Sequence, residues 1–163
     1  MSSDATVPTQ ALLRPFLFIL DEFAGHPPKT TPGSACLDRD TGWLQTLAAI
    51  DAAHASRPIV AGGTSIAAQT AHAAYYVELI EAGMRGVEPV SDWPGSFHPA
   101  IVDEAAWQAQ RERLQASLER FRALVTSDLT WDESRLGDAL AVLAHTAYHL
   151  GAVRQMVRAT GAP

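Results

Sequence analysis

AVLAHTAYHLGAVRQM, residues 141–156, is the stretch on which the fold turns. From Ala139 to Val153 there is no Asp, Glu, Lys or Arg. The run reads as one helix, apolar enough to be buried among others. Into that apolar surface the sequence sets two imidazoles, His145 and His149. Residues i and i+4 of a helix stack one above the other, about 6 Å apart at Cβ, so both rings leave from one face. Burying two imidazoles is costly unless their nitrogens find partners. A metal ion is such a partner, and imidazole suits Zn, Ni, Cu or Fe. The competing reading is a pair of hydrogen-bonded core or surface histidines, since HxxxH alone is a weak signal.

A third histidine, His72, stands in SIAAQTAHAAYYVEL, residues 65–79, another apolar stretch of helical pattern. If the two helices face each other, three imidazoles close three sides of a coordination sphere. The remaining positions stay open to water or substrate. Sequence spacing alone does not show that the helices meet.

Working outward, Thr130-Trp131-Asp132-Glu133 predicts a capping box for the last helix, with Thr130 and Glu133 satisfying each other's backbone donors. Gly161 ends that helix. Asp103 precedes a helix on which Trp107, Leu114, Leu118, Phe121 and Val125 recur at helical spacing. Thr64 or Ser65 caps the helix that carries His72 and reaches Met84. Gln10–Ala24 forms an earlier helix, with Pro15 in the first turn or at a kink, and Gly25 stops it. Residues 26–42 carry three prolines and two glycines and read as a loop, of a length that usually has a function. Helical pattern resumes at Trp43, Leu44, Leu47 and Ile50, capped by Asp40 or Thr41. Asp51 opens a short separate turn, and residues 87–100 form a second irregular connection. No strand pattern appears. The expectation is an all-α fold, one domain over residues 1–163, in which helices joined by turns and loops form an antiparallel bundle and each buries one apolar stripe.

Composition narrows the function. Over 163 residues, 47% are apolar and 18% charged, enough for a core without disulfides. A formal net charge of −6 argues against nucleic acid, which needs a basic surface. The apolar run Ala11–Leu20 is too short to cross a membrane, and no basic stretch precedes it as in a signal peptide. The single cysteine, Cys36, suits a reducing compartment. A soluble cytoplasmic protein acting on a small molecule is therefore expected, and homodimerisation through a bundle face is compatible with the sequence.

Other side chains are candidates for the same site. Asp21 and Glu22 are candidates for an oxygen ligand or general base, against a solvated helix end. His54 fits a helix-dipole role, and His26 and His98 fall in loops beside prolines. Tyr75, Tyr76 and Tyr148 flank the three histidines, either packing there or turning a phenol toward the reacting group. Arg154, a little over one turn beyond His149, is a candidate for an anionic substrate group. Gly151 is expected to permit close helix approach. HExxH, Glu-x-x-His, GxSxG, P-loop and GxGxxG motifs are absent.

Thr64-Ser65-Ile66 with His72 seven residues after Ser65, and AHTAYHLGAVRQM with His145, His149, Gly151 and Arg154-Gln155, resemble the paired motifs of the DinB-like (YfiT-like) superfamily. The order and the separation of the two motifs also match, and the resemblance covers roughly residues 43–160. It implies an up-down-up-down four-helix bundle holding a divalent metal on His72, His145 and His149. Zinc or nickel is expected first, and iron after them. Members include transferases and isomerases that use low-molecular-weight thiols, so the resemblance implies a thiol-dependent S-transferase or isomerase, with hydrolysis where water takes the thiol's place. Arg154 and Tyr148 would contact substrate. The alternative is a non-catalytic bundle that binds a metal or small molecule. The sequence departs from the family in two ways. The first-helix region is interrupted by the 25–42 loop, and Thr64 replaces the usual tryptophan, with no acidic residue following.

Overall fold

A few side chains set where most of the helices start. The computed structural model describes residues 8–26, 34–38 and 40–161. Residues 1–7, 27–33 and 39 (the last two within the expected 25–42 loop) and 162–163 lie outside the described residues. Among the described residues the regular elements are all helical: α1 Thr9–Ala24, α2 Trp43–Ala48, α3 Ala52–Ala55, α4 Ile66–Met84, α5 Glu104–Val125 and α6 Glu133–Thr160, with a 3₁₀ turn over Gly95–Phe97.

Three caps are acidic. The carboxylates of Asp51, Asp103 and Asp132 accept the backbone N–H groups of His54, Ala106 and Arg135, satisfying donors that a helix start leaves free. The cap of α6 is thus Asp132, and the expected box on Thr130 does not form. Ser65 caps α4 by accepting from Ala68. Neither Asp40 nor Thr41 caps α2. Its N-cap is Gly42, where a Cβ would come within 2.7 Å of the Gly25 backbone. Gly25 itself ends α1 at φ 99°, a left-handed conformation open to glycine. Pro15 lies inside α1.

The buried apolar side chains form one continuous cluster. Trp107, Leu114, Leu118, Phe121 and Val125, the stripe read from α5, are all buried in it. Helix α4 packs against both α5 and α6, and α1 packs against the same two helices. On α4 the buried positions include Ala67, Ala68, Ala71, Ala73 and Ala74. Short side chains let neighbouring helix axes approach from two sides. The connection from α1 to α4 is long and contains α2 and α3, so these two helices are free to take partners other than each other. Trp107 fastens that connection by donating its indole N–H to the Ile50 carbonyl at 2.6 Å. Glu104 accepts the Ala52 N–H at the start of α3.

Gly151 contradicts its expectation. It lies on the exposed side of α6, and a Cβ there would touch nothing within 4 Å. No helix among the described residues is long and apolar enough to cross a membrane.

Candidate metal centre

Helix periodicity puts His145 and His149 on the α6 face that meets α4, and His72 rises from α4 to meet them. His145 Nε2 lies 3.2 Å from His72 Nε2 and 3.1 Å from His149 Nε2. One ring nitrogen from each of the three falls within 4.8 Å of the others. No carboxylate or thiol joins the group among the described residues. His72 and His149 are buried, 1% and 5% exposed, and His145 is half-buried.

Aromatic rings wall the cluster. Phe97 stacks on His72 with centroids 3.9 Å apart, and Tyr76 stacks on His145 at 3.7 Å. Trp93 stands edge-on to His72 at 4.7 Å, and Tyr148 edge-on to His149 at 4.9 Å. Trp93 and Tyr148 are also the large aromatic side chains with most exposure, 47% and 72%, so they stand between the imidazoles and solvent. Tyr75 lies nearly parallel to His72 at 6.5 Å, and its phenol is engaged elsewhere. Its phenol oxygen accepts the Asp92 N–H at 2.7 Å and so holds the segment that bears Trp93 and Phe97.

The outer ring nitrogens have partners of their own. His72 Nδ1 is 2.7 Å from Ser96 Oγ, and His149 Nδ1 meets Gln69 Oε1. His145 Nδ1 is buried without a partner. Ser96 and Gln69 were missed from sequence. Gln69 lies one turn before His72 on α4, a spacing that could have flagged it. Ser96 comes from the 87–100 connection, which carries no periodic signal.

Burial costs a cation its hydration, and this decides the protonation state. Burial, then the neighbouring His149 and His72, push His145 down to about 3. Burial, then His72, push His149 down to about 4. Burial also holds His72 below the ordinary imidazole value. All three are neutral at pH 7, the form that ligates a metal. Burial, with Asp138 adding to it, raises the Tyr76 phenol.

The two nitrogen pairs that His145 makes have the spacing of ligands on one divalent ion. Ligands roughly 2.0–2.1 Å from one ion stand about 2.9 Å apart at a right angle and about 3.3 Å apart at the tetrahedral angle. The observed 3.1 and 3.2 Å lie between these limits.

The remaining candidates lie elsewhere. Asp21 pairs with Arg122 at 2.7 Å. Glu22 is buried and accepts the backbone N–H groups of Ala35, Cys36 and Leu37, so neither acid serves the imidazoles. Arg154 pairs with Asp38 at 3.0 Å. His54 Nδ1 contacts Asp51 at 2.8 Å, and His98 and Cys36 are exposed. His26 lines a separate cleft beside Trp43, Leu47 and Arg111. Comparison with protein-family models, curated proteins and solved structures found no match in any of the three.

Proposed function

We propose that the protein binds one divalent metal ion through His72, His145 and His149 and uses it in chemistry on a small molecule. The observation that carries this reading is the approach of three neutral imidazole nitrogens to 3.1 and 3.2 Å, with no acid or thiol among them. Zinc and nickel are the metals proposed first, then iron. A divalent ion with three neutral ligands keeps its full charge, and would make a water or thiol give up its proton near neutral pH.

The chain's own residues set what enters. Trp93 and Tyr148 flank the imidazoles with apolar surface, which favours a substrate carrying an apolar or planar group. Tyr148 is the exposed phenol beside His149 and is proposed to contact that substrate. Tyr76 and Phe97 brace the imidazole planes and keep water from their faces. The reaction proposed is thiol transfer or isomerisation with a low-molecular-weight thiol, or hydrolysis in its place. We further read α1, α4, α5 and α6 as an antiparallel four-helix bundle of the DinB-like kind, with α2 and α3 in the interrupted first wall. Their packing supports that reading.

A binding role without turnover is the second reading. It is favoured by the engagement of Arg154 with Asp38, which occupies the cation expected to hold substrate.

Elemental analysis of untagged protein, beside the His145→Ala, His149→Ala double variant, tests the metal. Roughly one divalent ion per chain, lost in the variant, is expected. No metal in either protein after loading with zinc or nickel would reject the proposal.

A further inference from the structure

We infer that Ser96 and Gln69 are positioning residues that set the tautomers of His72 and His149, so that two Nε2 lone pairs point inward before any metal arrives. The inference rests on the metal reading above.

Proton count fixes both tautomers. A carbonyl oxygen only accepts, and Ser96 Oγ lies 2.5 Å from the Trp93 carbonyl, so the single Ser96 hydroxyl proton goes there. Ser96 Oγ must then accept from His72 Nδ1, 2.7 Å away. His72 therefore carries its proton on Nδ1 and leaves Nε2 bare. On the other side, the Gln69 amide nitrogen donates to Thr64 Oγ1 at 2.7 Å and its oxygen faces His149 Nδ1. An amide oxygen likewise only accepts. His149 holds its proton on Nδ1, and its Nε2 is also bare.

Both bare nitrogens face His145 Nε2. If His145 is protonated there, one proton serves two lone pairs and one lone pair is left over. If it is protonated on Nδ1, that N–H is buried without an acceptor and three lone pairs converge. Either way the cluster holds more inward lone pairs than protons to fill them, and a divalent cation would take up the excess. Outer hydrogen bonds of this kind orient metal-binding imidazoles and raise their basicity. His145 lacks one, and its ring is held by stacking on Tyr76. Two ligands are thus preset and the third is adjustable.

Gln69 offers a clean test because two substitutions of similar size split the roles. Glu at position 69 keeps an acceptor, and Leu removes it. Cobalt(II) is titrated into wild type, Gln69→Glu, Gln69→Leu and Ser96→Ala. The histidine tautomers of the metal-free proteins are read from long-range proton–nitrogen NMR spectra. The expected result is Nδ1–H on His72 and His149 in wild type. Gln69→Leu should weaken cobalt binding about 10- to 100-fold with a changed His149 tautomer, Gln69→Glu should bind at least as tightly as wild type, and Ser96→Ala should act on His72 in the same way. Nε2–H on His72 or His149 in the metal-free wild type would overturn the inference whether or not metal binds. Equal weakening by Gln69→Glu and Gln69→Leu would overturn it for Gln69 and point to packing. Correct tautomers with no cobalt binding in wild type would reject the metal reading, and the positioning role with it. Should Ser96→Ala fail to fold by circular dichroism, the Gln69 pair decides alone.

Discussion

Lowering the pH from 7.5 to 5.5 should barely change metal binding at this site, which is unusual for histidine ligands. An ordinary imidazole of pKa about 6.5 is roughly nine-tenths protonated at pH 5.5. Three such ligands would give up nearly three protons on binding metal, and affinity would fall on the order of 10³-fold. Here the sign of the shifts works the other way. A lowered pKa keeps the imidazole in its neutral, ligating form at lower pH. His145 near 3 and His149 near 4 stay almost wholly neutral at pH 5.5. His72, held below the ordinary value, is the one ligand left to compete, so the loss should be about tenfold at most. Calorimetric titration with zinc, in pairs of buffers of different ionisation enthalpy, counts the protons displaced. Fewer than about one at pH 5.5 is expected. Two or three protons, with a loss of affinity on the order of 10²- to 10³-fold, would mean that the imidazoles titrate as in water and are not sealed together.

The same shifts carry a cost for the metal-free fold. Between the folded and unfolded pKa values the unfolded chain binds more protons, so stability is full above about pH 6.5 and falls as the pH drops, by up to about 1.4 kcal/mol per pH unit for each proton. Urea midpoints of metal-free protein should therefore be lower at pH 5 than at pH 7.5, and a flat profile would refute the burial argument. Gly151→Ala should raise stability by about 0.5–1 kcal/mol, seen as a higher melting temperature, because a Cβ there meets nothing. Destabilisation instead would show that this face of α6 is covered. Glu22→Ala strips the acceptor from three backbone amides and should cost about 1–3 kcal/mol, with faster proteolysis around residues 34–38; an unchanged digestion pattern would count against that tie.

What the sequence determined by itself is what short-range periodicity encodes. The 3.6-residue repeat put His145 and His149 on one face, and put Trp107, Leu114, Leu118, Phe121 and Val125 on one buried stripe. A pair of short acceptor side chains narrowed the cap of α4 to Thr64 or Ser65, because capping is local chemistry, and Ser65 takes it. At α6 the local pattern pointed to Thr130, and the cap is Asp132, two residues on. Tertiary structure alone decided the rest. His72 meets the α6 pair because alanines on α4 let the helices close up, which depends on both surfaces at once. Ser96, 24 residues along the chain from His72, reaches Nδ1 from a segment without repeat, and Asp38 reaches Arg154 from 116 residues away. Gly151 looked like a packing residue and faces solvent, since a glycine in a helix carries no mark of which side it is on. Periodicity orders side chains around one helix axis; which nitrogen points at which is settled only when two axes and a loop are fixed together.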